Sequence, residues 1–271
     1  MILDAINRIE KKGSVEFTAL SYHTPQDATY VVVDKNFNYK VISKDRFSFN
    51  SKYVAMDFYS KLITLNKAVD LKKVIYSNNY LTFFCGNFKK LNMDIIDGYY
   101  KRLRVEEFNI YRCWIKENIF NIYKKTNASN IKIFFLTDIK EYIRLGKEYL
   151  ENYILSNKTK INKEDYGTNI FINLNSKKPY LKTYSRKTKS PFYSSIEENI
   201  KCKYFNDILY SLLAKGYNTV YILENGELIP IKDGLLQRNV NNALFFVYRL
   251  NERGNLKFLD MSVIPKYRYL L

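Results

Sequence analysis

Apolar residues recur at helical spacing from the start of the chain. Ile2, Leu3, Ile6 and Ile9 share one face before Gly13, which predicts a short amphipathic helix over residues 1–12. "YVVVDKNFNYKVIS" (30–43) then changes period, and two β-rich runs around the polar "DKNFN" predict a hairpin. Residues 53–62 read as helix. "VIYSNNYLTFF" (74–84) has strand composition, but Ser77, Asn78 and Asn79 break it with a turn, because short polar side chains bond their own backbone. From Asp94 to Lys125 the pattern is helical, and Phe108, Tyr111, Trp114 or Ile115, Ile119 and Ile122 form one apolar stripe of core character.

The second half alternates in the same way. "IKIFFLT" (131–137) is a buried type of strand, and Asp138 can cap a helix running to about Tyr153. "TNIFINLN" (168–175) predicts a strand, followed after a gap by a helix with a Ser cap, Glu in its first turn and Gly216 at its end. "TVYILENGELIPI" predicts a hairpin around Glu224, Asn225 and Gly226, and "ALFFVYRLNERGNLKFLDMSV" a second one turning at "NERGN". Helices interleaved with mainly antiparallel hairpins give a mixed α+β fold, with residues 1–271 as one domain or two tightly packed lobes.

Composition adds the first functional constraint. The chain is 46% hydrophobic, a globular proportion, and its longest apolar runs are far too short to cross a bilayer. The start lacks the basic opening and long apolar centre of a signal peptide, which points to the cytoplasm. Lys and Arg number 44 against 27 Asp and Glu, a formal charge of +17, and such an imbalance implies a polyanionic partner. AT-rich codon usage would raise Lys, Ile, Asn and Tyr, but it supplies Asp and Glu as well and leaves the excess unexplained.

Catalytic signatures are missing from the sequence. No phosphate loop, dinucleotide fingerprint, nucleophile elbow or HExxH occurs, so an enzyme is not expected. Cys85, Cys113 and Cys202 stand far apart with no metal spacing and read as free core thiols, and His23 is the one histidine. No metal or cofactor is expected. Glu106-Glu107 and Glu197-Glu198 each open a predicted helix, where they complement the dipole.

Positive charge concentrates instead. "KKPYLKTYSRKTKSPF" (177–192) holds Lys177, Lys178, Lys182, Arg186, Lys187 and Lys189, with Tyr180 and Tyr184 among them, and no acid falls between Tyr166 and Ile196. The cations can neutralise phosphates and release counterions, and the tyrosines can stack on unpaired bases. A second stretch, residues 65–80, offers Lys67, Lys72 and Lys73 to a backbone, and Asn66, Asn78 and Asn79 to base edges. A solvated loop and a self-stabilised turn are the plainer accounts of these two stretches.

"YSKLITLNKAVDLKKVIYSNNYLTFF" with "MDIIDGYYKRL", and "IFINLNSKKPYLKTYSRKTKSPFYSSIEEN", together resemble the large subunit of type I-B CRISPR Cascade complexes. The matching blocks run from about residue 55 to 215 in the family's order, and their combination is more specific than any one block. Members are usually longer, so the chain is expected to be similar to their N-terminal portion or to a naturally truncated relative, without the family's helical C-terminal domain. The resemblance implies a non-catalytic subunit that recognises the short motif adjacent to the target on double-stranded DNA. Its implied partners are CRISPR RNA, target DNA, the other Cascade subunits and a recruited helicase-nuclease, with no membrane. Two other readings remain: an inhibitor or decoy that mimics this subunit, and a metal-dependent nuclease using scattered acids.

Overall fold

The computed structural model describes residues 2–12, 23, 25–60, 74–77, 79–103, 109–126, 128–149, 165–168, 192–232, 242–250 and 256–265. The fold is α+β with two mainly antiparallel sheets, and the chain divides into two compact units. One unit is Pro25–Ile154; the other combines Met1–Thr24 with Leu155–Leu271. The N-terminal helix of the chain, α1 (Ile2–Lys12), belongs to the latter.

In the Pro25–Ile154 unit, β1 (Thr29–Val33) and β2 (Tyr39–Ile42) form the expected hairpin. Asp34 fixes its turn, its Oδ1 accepting from the backbone of Asn36 at 2.8 Å and Asn38 at 3.0 Å. Two short helices follow, α2 (Lys44–Ser48) and α3 (Ser51–Tyr59). Then come β3 (Thr82–Gly86), α4 (Met93–Leu103), α5 (Asn109–Lys124), β4 (Asn130–Phe135) and α6 (Ile139–Tyr149). The strand order is β2-β1-β4-β3, with β1 and β4 parallel and the outer pairs antiparallel. That one parallel pairing departs from an all-hairpin sheet.

Burial explains the composition of the inner strands. Val31, Val33, Ile133 and Phe134 are fully enclosed, and a buried large side chain contributes about 1.5–3 kcal/mol. Aromatic packing links the layers: Tyr30 stacks on Phe47 at 3.9 Å, and Trp114 meets Phe135 edge-on at 5.4 Å. Trp114 also donates its indole N–H to the Phe37 carbonyl at 3.0 Å. The α5 stripe is therefore core for Trp114, Ile115, Ile119 and Ile122. Tyr111 is half-buried, and Phe108 lies outside the described residues.

The second unit has a sheet ordered β10-β9-β7-β8, antiparallel throughout, from β7 (Thr219–Leu223), β8 (Leu228–Ile231), β9 (Ala243–Leu250) and β10 (Leu256–Ile264). Helices α1 and α7 (Ile196–Ala214) cover one face, where Ile6, Ile9, Phe205, Leu209, Val220 and Phe246 pack together. Ser195 and Glu198 form a complete capping box, and Gly216 ends α7 at φ 87°. The turn after β7 lies against the start of α1. At Gly226 (φ 76°) an added Cβ would fall 2.9 Å from the Asp4 carbonyl oxygen, so glycine is required there. Arg8 ties the same turn down by donating to the Asn225 carbonyl at 2.9 Å.

The cysteines correct one expectation. All three are free, but Cys85 alone is buried; Cys113 lies on the exposed face of α5 and Cys202 is half-covered. Burial, reinforced by the Glu198 carboxylate, pushes the Cys202 thiol up to about 11.

Candidate nucleic-acid interface

The acid-free basic segment is bracketed by a small antiparallel ladder. Strand β5 (Tyr166–Thr168) pairs with β6 (Phe192–Ser194) in the register Tyr166↔Ser194, Gly167↔Tyr193 and Thr168↔Phe192. The two ends of residues 169–191 are thereby held side by side. Lys177, Lys178, Tyr180, Lys182, Tyr184, Arg186, Lys187 and Lys189 lie between them, outside the described residues, as does the "NIFINLN" stretch. The chain leaves β6 directly into the α7 cap, where the Ser195 N–H donates to Glu198 Oε2 at 3.0 Å and Glu198 N–H donates to Ser195 Oγ at 3.3 Å. With Glu197 and Glu198 in its first turn, that helix end is already supplied with negative charge. The cations available to an anion in this part of the chain are the lysines and Arg186, not the helix terminus.

Of the second stretch, Asn66, Lys67, Lys72, Lys73 and Asn78 also lie outside the described residues. Asn79 is described, and it is an interior residue. Its side chain is fully buried; Nδ2 donates to the Tyr142 carbonyl at 2.9 Å, and Oδ1 accepts from Leu81 N–H at 3.0 Å. Tyr142 returns the support, its single hydroxyl proton shared between the carbonyls of Phe135 at 2.7 Å and Leu81 at 2.9 Å. Burial raises the Tyr142 phenol well above its ordinary range, so it stays a neutral donor. Asn79 thus stabilises its own turn and the packing of that turn on α6, and presents nothing to a base edge. The turn was legible from Ser-Asn-Asn; the burial of its last member was not.

The neighbouring strand pairing brings out a cationic site that sequence reading missed. Ile75 bridges to Cys85, and the Gly86 N–H donates to the Val74 carbonyl at 2.9 Å. Immediately beyond, a single 3₁₀ turn, Phe88–Lys90, carries Phe88 onto Tyr123 near the end of α5, the rings 3.8 Å apart and 6° from parallel. Phe120 meets Phe88 edge-on at 5.6 Å. The stack joins the 3₁₀ turn that bears Lys89 and Lys90 to the end of α5 that bears Lys124 and Lys125, and all four lysines are exposed. The sequence signal that could have found them is the absence of Asp and Glu from Leu71 to Met93 and again from Asn118 to Thr137.

Among the described residues no helix is long and apolar enough to cross a membrane. No family model, curated protein or solved structure matches this chain.

Proposed function

We propose that this protein is a non-catalytic, nucleic-acid-binding subunit of a type I-B CRISPR RNA-guided surveillance complex, working in the cytoplasm. The observation that carries the reading is the basic and aromatic run of residues 177–189, in a segment without acids whose ends are joined by the β5/β6 ladder, in a chain of charge +17. The sequence blocks that resemble the Cascade large subunit give that surface its setting. In such a setting the protein grips phosphates and reads a short motif on duplex DNA, while pairing with CRISPR RNA reads the rest. Lysines and Arg186 supply grip without sequence information; Tyr180 and Tyr184 supply stacking on unpaired bases. Asn66 and Asn78 are the amides left to read base edges, now that Asn79 is accounted for inside the fold. The other subunits and a recruited helicase-nuclease complete the assembly.

The test is a salt series of binding to labelled DNA and RNA by the wild type and by a variant with Lys177, Lys178, Lys182, Arg186 and Lys187 changed to Ala. The expected result is weaker binding and a log–log salt slope flattened by roughly 0.7 to 0.9 for every phosphate no longer neutralised. An unchanged slope in a folded variant would mean the segment is a solvated loop. Addition of the wild type to a Cascade assembly lacking its large subunit should restore motif-dependent DNA binding.

A further inference from the structure

The cluster formed by Lys89, Lys90, Lys124 and Lys125 is assembled by tertiary structure and not by a run of sequence. Its foundation is stiff. Gly86 is wedged where an added Cβ would lie 2.9 Å from Asn130 Oδ1 and 3.0 Å from the Tyr76 ring, and Asn87 takes a left-handed backbone (φ 51°) to start the 3₁₀ turn. On the other side, the end of α5 is closed by Lys125 N–H to the Ile122 carbonyl and Thr126 N–H to the Tyr123 carbonyl, both 3.1 Å. The stacked Phe88 and Tyr123 rings join the two. Lysines mounted on such elements lose less freedom on meeting a ligand than lysines on a free loop.

Among the described residues none of the four lysines belongs to an ion pair. Asp97, an acid of α4 that faces α5, is already engaged by Lys116 at 2.9 Å, with Arg112 at 3.7 Å. Part of this arrangement has a local purpose, since Lys124 and Lys125 complement the negative end of the α5 dipole, an effect of about 0.3–1 kcal/mol. That purpose does not extend to Lys89 and Lys90, which close a turn of only three residues. Exposed amides, Asn87, Asn92 and Asn121, flank the cluster and can bond phosphate or sugar oxygens. The rings at its base pack on each other, and Phe88 is buried, so they are not presented for insertion into lipid.

We infer that Lys89, Lys90, Lys124 and Lys125 form a second phosphate-backbone contact for nucleic acid, distinct from residues 177–189. The inference rests on the nucleic-acid reading proposed above and adds a site to it.

The full-length protein is titrated with a labelled DNA duplex and a labelled single-stranded RNA over a salt series, and with vesicles containing phosphatidylserine. The variants are K89A/K90A, K124A/K125A and, as an equal-charge control at exposed lysines of the same unit, K40A/K52A. Each cluster variant is expected to bind about tenfold more weakly at low salt, with the slope reduced by about 1.4 to 1.8 for two phosphates left unneutralised, while the control changes little. Cluster variants that fold, by circular dichroism, and match K40A/K52A overturn this inference and leave the proposed function standing. Wild-type protein that binds neither nucleic acid overturns both. A cluster effect seen only with vesicles overturns this inference in favour of a membrane surface.

Discussion

Among the described residues each unit buries one lysine–aspartate pair, and the two pairs are built on opposite plans. Lys132 of β4 reaches Asp57 of α3 at 2.7 Å, both side chains 4% exposed, with the Phe84 ring 4.7 Å from the ammonium. Lys203 meets Asp207 at 2.6 Å one turn along the same helix, the side chains 8% and 10% exposed. The first pair exists only when a strand and a helix distant in sequence have come together. The second needs nothing but α7. A pair bridged across elements therefore certifies an assembled fold, whereas a pair within one helix can form before its burial.

The largest effect expected follows from separating the first pair. Lys132→Ala leaves the Asp57 carboxylate enclosed without its cation and should destabilise by about 3–5 kcal/mol in urea unfolding. The double variant D57L/K132M, which removes both charges, should be milder than K132A alone. Equal destabilisation in the single and double variants would show that packing matters there and pairing does not. Trp114 is the sole tryptophan and lies in the same unit, so its fluorescence follows this transition.

High pH sharpens the contrast between the units. Burial raises the phenols of Tyr30, Tyr99, Tyr100 and Tyr142 in the Pro25–Ile154 unit, and of Tyr248 in the other. At Tyr30 the Asp57 carboxylate adds to the effect of burial. A phenol held above its ordinary value keeps its proton in the fold after the unfolded chain has released it. Stability is then intact below pH 10 and falls as pH rises beyond it, by about 1.4 kcal/mol per buried tyrosine at pH 11. Trp114 fluorescence should therefore report unfolding at alkaline pH, and Tyr99→Phe should delay it. A Trp114 signal flat to about pH 11.5 would contradict the burial of these hydroxyls.

The smallest effect belongs to the helical pair. Asp207→Asn keeps the side chain's size and one acceptor, and should cost about 1 kcal/mol, between an exposed helical pair and a charged hydrogen bond. A cost as large as that of K132A would erase the distinction drawn between the two plans.

The same division separates what the sequence discloses from what it withholds. Periodicity located α1, the β1–β2 hairpin, α5, β4, α7 with its Ser195 cap, and the β7–β8 hairpin, since each is written in neighbouring residues. The β1–β4 parallel pairing left no such mark, because Val31 and Ile133 carry no local sign that they are partners. Cys113 was within reach: Asn109, Cys113, Glu117 and Asn121 form the exposed face of α5 at helical spacing. Asn79 was not, since polarity suited it to a surface turn while its amide was needed inside. Lys89, Lys90, Lys124 and Lys125 are ordinary as two dipeptides, and only the Phe88–Tyr123 stack makes them one feature. Of the candidate site, the charge was legible and its geometry was not.

The β5/β6 ladder has an evolutionary consequence. Where paired strands hold the two ends of a segment, residues gained or dropped between them leave Tyr166↔Ser194 and the α7 cap that follows in place. Doubling the length of a flexible loop raises its closure cost by only about 0.6 kcal/mol. What the ladder fixes is the register of its own three residue pairs, and the number and charge of the residues between Thr168 and Phe192 are no part of that register.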